Sequence, residues 1–260
     1  MELHLRDPSP ALRGSARRLA GWYERVEQPV VRRELPGGRI VLVISFGPPL
    51  EVDGRSYGSF VAGLHETAAI TEHAGVSHGI QAYLTPLGAE RLFRMPMGEL
   101  AGGGADLADL LGPVAGELAE RLYVAPDWPA RFALLERFIA ARVYDAPPTT
   151  PELEWAWGRL LASDGAVPVG SLAREIGWSR RHLAARFREH LGLPPKPLAR
   201  ILRFERAAAR LRAGAALADA ALDSGYYDQA HFNRDFRSFA GVTPTEYRVA
   251  SVQEIQSVPA

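Results

Sequence analysis

The chain has 260 residues, 47% of them hydrophobic, with no cysteine and a formal net charge of zero. That length points to one large or two ordinary domains with enough apolar residues for real cores. The missing cysteine excludes disulfides, thiolate metal sites and cysteine nucleophiles. The first residues, "MELHLRDPSPALRGSARRLAGW", contain no apolar signal-peptide core, and the longest apolar run, "IVLVISF" at 40–46, is far too short to span a bilayer. A soluble cytoplasmic protein with no membrane partner is the expectation.

Residues 29–35, 39–46, 58–64, 67–73 and 76–84 are short and rich in Val, Ile, Tyr and Phe. Turn signals separate them: "PGG" at 36–38, "GPP" at 47–49, "DGRSYG" at 53–58 and "HAG" at 73–75. This predicts antiparallel strands in a small barrel or sandwich. From residue 86 the pattern turns helical, in "TPLGAERLFRM" and again at 113–122 and 127–143. The stretch "DAPPTTPEL" at 145–153 reads as a linker, with Thr150 as an N-cap and Pro151 in the first helical turn. After it only helices are predicted, at 151–163, 169–176, 179–189, 196–212, 217–224, 228–239 and 244–249. The fold class is therefore α+β. Residues 1–144 form an N-terminal β-rich domain with helices, 145–150 a linker, 151–250 an all-α domain and 251–260 a tail.

Zero net charge hides an asymmetry. Between 171 and 250 there are 14 Lys and Arg against 8 Asp and Glu, an excess of six positive charges that the rest of the chain cancels. A basic segment beside an acidic one is expected where one domain meets a polyanion. Of the 30 basic residues only Lys196 is a lysine. Arginine makes forked contacts to phosphate and to guanine.

Two short helix pairs carry the chemistry. In "VGSLAREIG" Leu172, Ala173 and Ile176 face inward, Gly177 makes the turn and Ser179 caps the next helix. That helix turns Leu183 and Phe187 inward and Arg180, Arg181, Ala184, Ala185 and Arg188 outward. His182 and Arg186 fall nearer its buried edge, and Trp178 packs beside the turn. In "LADAALDSG" Leu217, Ala218, Ala221 and Leu222 face inward, Gly225 makes the turn and Asp228 caps. Phe232, Phe236 and Phe239 form the next inward stripe. Gln229, Ala230, Asn233, Arg234 and Arg237 face outward, and His231 adds another hydrogen-bonding group to the same short helix. Tyr226 packs beside this second turn. The two turn glycines lie 48 residues apart, and "LGLPP" at 191–195 and "AGVTP" at 240–244 lie 49 apart. This is a duplicated helix-turn-helix, joined by the helix of "PLARILRFERAAARL" at 197–211. A helix with its side chains fits a DNA major groove.

Residues 169–248 resemble the C-terminal DNA-binding domain of AraC/XylS-type transcription regulators. The resemblance rests on "SLAREIGWSRRHLAARFREHLGLPPKPLARILRFERAAARL" and on "ALADAALDSGYYDQAHFNRDFRSFAGVTPTEYR". It implies two helix-turn-helix subdomains joined by a linker helix, with recognition helices entering successive major grooves of double-stranded DNA. It makes Arg180, Arg181, Arg188, Gln229, His231, Asn233, Arg234 and Arg237 the candidate DNA contacts. Many family members carry Arg or another long polar side chain where this chain has Ala184 and Ala185, which leaves base reading by the first helix to its arginines. Both recognition helices lie within 151–260, so that segment is expected to bind DNA alone.

The stretch "FVAGLHETAAITEHAGVSHGIQAYLTPLGAERLFRMPMGEL" resembles the sensor domain of many actinobacterial AraC-like regulators. It implies a cupin-like barrel that binds a small-molecule effector or makes a homodimer, with RNA polymerase a further partner of an activator. Trp22, Phe46, Phe60 and Tyr83 are the candidate pocket residues, with Tyr23 and Phe93 beside them; aromatics in strands are more often core. A rival reading is a metal-dependent cupin-like enzyme fused to a DNA-binding domain. Its ligands would come from His65, Glu66, Glu72, His73 and His78, but no "H-x-H" pair is present, so no metal and no other cofactor is expected. Methyl-acceptor DNA repair, which occurs fused to AraC-like domains, needs the cysteine this chain lacks.

Overall fold

The computed structural model describes residues 1–253, and side chains as far as Val249. The chain divides into two compact units. The first comprises residues 1–31, 39–63 and 70–148, and the second the described residues from 149 on together with 32–38 and 64–69; most of the expected tail, 254–260, lies outside the described residues.

The first unit is built on an eight-stranded sheet. Its strands are β1 (Glu2–Arg6), β2 (Ala16–Glu34), β3 (Ile40–Ser45), β4 (Leu50–Val52), β5 (Arg55–Tyr57), β6 (Phe60–Ala62), β7 (Ala69–Leu84) and β8 (Gly104–Asp106). The hydrogen-bonded path runs β1-β2-β7-β3-β6-β8, and β4 pairs with both β5 and β7. β3 runs antiparallel to both its neighbours, with Val41↔Ala62 on β6 and Val41↔Tyr83 on β7. Leu42, Ile44, Val61, Ile80 and Leu84 are fully buried.

Three strand expectations need correction. The "HAG" at 73–75 does not end a strand, because β7 runs through it. Gly75 takes φ +70 and kinks the strand; before the kink β7 pairs with β4, after it with β3. The "DGRSYG" stretch is not all turn. Only Asp53–Gly54 turns, and residues 55–57 return as β5 in a two-residue hairpin. Finally, β2 begins at Ala16, and β1 and β8 add strands that the sequence reading lacks.

Helices α1 (Pro86–Phe93), α2 (Leu107–Leu111), α3 (Pro113–Tyr123) and α4 (Trp128–Tyr144) complete this unit. Thr85 caps α1 by accepting from Gly88 N–H at 3.0 Å, and Asp127 caps α4 by accepting from Ala130 N–H at 2.8 Å. Two arginines tie α1 to α4. Arg91 donates to Val143 O at 2.7 Å, and Arg142 donates to Leu92 O at 3.0 Å.

The second unit is helical from Thr150 on. It contains α5 (Pro151–Ala162), α6 (Val169–Glu175), α7 (Arg180–Leu191), α8 (Pro195–Arg212), α9 (Leu217–Asp223), α10 (Gln229–Ala240) and α11 (Pro244–Gln253). Pro151 occupies the first turn of α5 and Thr150 its N-cap position, without a side-chain capping bond. Packing of α5 and α7 on α8, with α6 against α5 and α7, makes one subdomain, and α9, α10 and α11 on α8 make the other. The second has an aromatic core of Phe204, Phe232, Phe236 and Phe239, each at most 1% exposed, with Tyr226 and Tyr247 beside them. Among the described residues no helix is long and apolar enough to cross a membrane.

Candidate nucleic-acid interface

The two turns are made by the same backbone bonds. After α6, Gly177 N–H donates to Arg174 O at 3.2 Å and Trp178 N–H to Ala173 O at 2.8 Å. After α9, Gly225 N–H donates to Leu222 O at 3.0 Å and Tyr226 N–H to Ala221 O at 3.1 Å. Both are Schellman closures, which need a left-handed residue between the helices. Gly177 and Gly225 supply it, with φ +72 and +77. The next helix is then capped. Ser179 accepts from His182 N–H at 3.1 Å, and Asp228 accepts from His231 N–H at 2.6 Å.

Both second helices are amphipathic. In α7, Leu183, Phe187 and Leu191 are buried, while Arg180, Arg181, Ala185 and Arg188 are exposed and Ala184 is half-buried. Arg180 folds back, so that a Cβ at Gly170 would come within 2.6 Å of its Nη2. Arg186 pairs with Glu189 at 2.8 Å. His182 is exposed and stands edge-on to Trp178, with centroids 4.5 Å apart. In α10, Phe232, Phe236 and Phe239 are buried, and Gln229, Ala230, Asn233, Arg234 and Arg237 are exposed.

His231 differs from these. It is half-buried, edge-on to Tyr226 at 5.2 Å, with Nε2 3.6 Å from Asp235 Oδ2. Asp235 is itself buried and held by Arg200 of α8, whose Nη2 donates to Oδ1 at 2.8 Å. The same carboxylate raises the Arg200 pKa. Burial likewise raises the Tyr226 phenol. This network, absent from the sequence reading, fixes α10 against α8. The inward face of α9 is also rolled relative to the expectation. Ala220, Ala221 and Ser224 are buried, Leu217 is half-buried, and Ala218 and Leu222 point to solvent, Leu222 being 74% exposed. Tyr227, not singled out by sequence, is 94% exposed one residue before the Asp228 cap.

In the first unit Trp22 and Phe60 meet in one apolar cluster around Val43 and Tyr57, while Phe46 and Tyr83 have other partners. Trp22 lines a cavity of about 20 Å³ with Val43, Ser45, His73 and Ser77, and donates to Ser77 Oγ at 2.8 Å. Phe60 is buried with Val43 and Tyr57. Phe46 meets His78 and Tyr123, with Arg131 over its ring at 5.7 Å. Tyr83 lies under Arg39 and accepts from Gln81 Nε2 at 2.6 Å.

The histidines are also dispersed. His73 pairs with the buried Glu24 at 3.1 Å. His78 sits among Tyr23, Phe46, Tyr123 and Trp128, and burial lowers its pKa, with Arg131 adding to the effect. His65 Nδ1 lies 2.5 Å from Thr67 O. Among the described residues no three His, Cys, Asp or Glu side chains group so as to hold a metal ion.

Comparison with known proteins fits this geometry. Residues 172–250 match the family model described as "Helix-turn-helix domain". These residues are an AraC-type helix-turn-helix domain. The F1 operon positive regulatory protein of Yersinia pestis is 36% identical over 84 residues, which is 32% of this chain and 28% of that protein. An uncharacterized HTH-type transcriptional regulator of Staphylococcus aureus strain MSSA476 is 33% identical over 83 residues, 32% of this chain and 11% of its own length. The chain thus spans well under a third of the curated relatives it matches. ToxT of Vibrio cholerae strain SCE256 is similar in fold, with a TM-score of 0.50 and 12% identity over 94% of this chain and 99% of that one. That likeness extends the α+β architecture beyond the AraC-type domain to nearly the whole chain.

Proposed function

We propose that the protein is a transcription regulator that binds a specific operator in double-stranded DNA through α7 and α10. The observation that carries this reading is the duplicated unit. Each copy has a Schellman-closed turn and a capped helix whose apolar face is buried and whose other face presents Arg, Asn or Gln to solvent. Arg181, Arg188, Arg234 and Arg237 then meet phosphates or base edges, and Gln229 and Asn233 read bases. Arg180 joins them by swinging away from Gly170. His231 acts through Asp235, by holding α10 in place, more than by touching DNA. No catalytic step is assigned to the chain.

The first unit, with its β-rich sheet, serves as the sensing or dimerising module, and RNA polymerase is the further partner if the protein activates. One ToxT structure, similar in fold with a TM-score of 0.50, has (E)-4-(8-methylnaphthalen-1-yl)but-3-enoic acid bound. A small-molecule effector fits this chain too. The cavity beside Trp22, of about 20 Å³, is water-sized, whereas a drug-sized ligand needs roughly 300 Å³ or more, so that cavity has to open to take one.

Operator affinity against salt tests the DNA reading. Binding should weaken about tenfold or more between low and physiological salt, because several phosphates must be neutralised. Because the two units are in tandem, one chain should protect two successive major grooves, ~10 base pairs apart, at an asymmetric site. The linker helix α8, of 18 residues, is ~27 Å long and separates them. A flat salt dependence, or a strictly palindromic minimal site for one chain, contradicts the reading.

A further inference from the structure

We infer that residues 32–38 complete the DNA-binding unit, and that Arg33 is a positioning residue for the second recognition helix; the inference rests on the DNA-binding reading above. In sequence the segment takes in the end of β2 and its connection to β3, yet it groups with the helices that follow residue 149. Its turn is not exposed as surface connections usually are. Pro36, Gly37 and Gly38 are all buried. A Cβ on Gly38 would come within 2.7 Å of Leu202 Cδ2 and 3.5 Å of Trp157. Gly38 N–H donates to Glu205 Oε2 on α8 at 3.1 Å. Leu35 packs on the aromatic core that Phe204, Phe232, Phe236 and Phe239 form. An apolar side chain, a buried turn and a backbone hydrogen bond thus seat the segment on α8 and on the second subdomain.

From that seat Arg33 reaches the end of α10. Its Nη1 donates to Ala240 O at 2.8 Å. The last carbonyls of a helix lack intrahelical partners and carry the negative end of its dipole, so a guanidinium there satisfies an acceptor and opposes the dipole. Gly241, which ends α10 with φ +71, leaves the space; a Cβ there would collide with Arg33 Nη1. The consequence for DNA is geometric. At 12 residues α10 is ~18 Å long, so a tilt of about 10° at its C-terminus moves the other end by ~3 Å, a whole hydrogen-bond length. That other end carries Gln229, Asn233 and Arg234. Holding the C-terminus therefore sets whether those side chains meet base edges. It follows that a fragment beginning at residue 149 has both recognition helices and lacks the group that aims one of them.

The test uses the full chain and an operator selected by it from random DNA. Affinity, salt slope and footprint are compared for the parent, Arg33→Ala and Arg33→Lys. Arg33→Ala should lower affinity about threefold to tenfold, as the loss of a partly exposed charged hydrogen bond does, and should weaken protection only in the groove assigned to α10. The salt slope should stay at the parent value, and Arg33→Lys, which still offers a cation to the carbonyl, should recover most of the loss. Parent-like binding by Arg33→Ala overturns the inference. Equal loss in both grooves with a slope smaller by about one overturns it too, because Arg33 would then be a phosphate contact. If the parent protects no DNA under any salt, the DNA-binding reading itself falls, and that failure is distinct from either of these.

Discussion

Set side by side, α6–α7 and α9–α10 close their turns with the same two hydrogen bonds and cap their second helices in the same way, with Ser179 and Asp228. Their interiors differ. The first pair buries Leu172, Leu183, Phe187 and Leu191, with Trp157 of α5 nearby in the same subdomain. The second buries a set of rings, with Phe204–Phe236 centroids 4.9 Å apart and Phe232–Phe236 5.5 Å apart, and adds the Arg200–Asp235 pair. The outward faces differ as well: arginine and alanine on α7, a mixture of Gln, Asn and Arg on α10. The turn is constrained by backbone hydrogen bonding, which tolerates little change. The core tolerates many packings and the exposed face more still. The duplicated units thus share the turn and differ in their outward faces, so on the proposed function each face meets a different DNA sequence.

The sharpest way to break the comparison is to empty the aromatic core. Phe236→Ala should cost ~3–5 kcal/mol, because a fully buried ring leaves a cavity. The second subdomain should lose its protease resistance first, while α5–α7 keep theirs. A parent-like melt with selective loss of DNA binding would mean that α10 is rotated from the position described.

Asp235→Ala comes next. It strands Arg200, which is one-third exposed, so the cost should be about 1–3 kcal/mol and below that of a fully buried pair. Asp235→Asn, which keeps a hydrogen-bond acceptor, should cost less. The corresponding residue of the first helix-turn-helix subdomain is Arg186 on α7, and Arg186→Ala, which breaks an exposed contact to Glu189, should change stability little. Urea melts of the three variants check the order.

At the surface, Arg234→Ala should cost about 1–3 kcal/mol of specific binding and relax one or two base pairs of the operator. Arg237→Ala should weaken all sequences alike if it meets phosphate. Arg181→Ala should relax base pairs in the other groove. Selection on randomised operators separates these outcomes; unchanged base preferences for Arg234→Ala would remove it from the base-reading set.

How legible the second unit was from sequence follows from its periodicity. Every helix after residue 150 was placed to within a few residues, because each has an apolar stripe at helical spacing and a Gly, Ser, Asp or Pro at its ends. The roll of α9 was not legible. "LADAALDS" offers Leu217, Ala218, Ala221 and Leu222 or Leu217, Ala220, Ala221 and Ser224 as equally regular stripes, and the fold uses the second. His231 carries a legible signal of its position: an acidic residue four positions on, at Asp235, on the same helix face. The first unit was harder. The Arg-rich start of β2 hides its alternation, and the glycine in "HAG" reads the same whether it turns a chain or kinks a strand. The burial of the "PGG" turn against Leu202 has no local signature, since it depends on residues more than 160 positions away.

The smallest expected effect lies at the helix that follows α10, where the second subdomain has a side-chain cap and its counterpart α8, with Pro194 at the N-cap, has none. Thr243 and Glu246 form a capping box at the start of α11: Glu246 N–H donates to Thr243 Oγ1 at 3.2 Å, and Thr243 N–H donates to Glu246 Oε2 at 2.7 Å. The Thr243 backbone N–H, and after it the Thr243 hydroxyl, hold the Glu246 carboxyl below its ordinary value of 4.5. A depressed folded pKa contributes stability above the unfolded value and loses it as pH falls through the folded one. Glu246→Gln should therefore be slightly less stable than the parent at neutral pH, with the gap closing below about pH 4.5, where the parent carboxylate becomes protonated. Because the carboxylate is exposed to solvent, the gap should be small and read as a difference in melting temperature. A gap that is constant from neutral to acid pH would mean that the box acts through its shape and hydrogen bonds alone, with no contribution from the carboxylate charge.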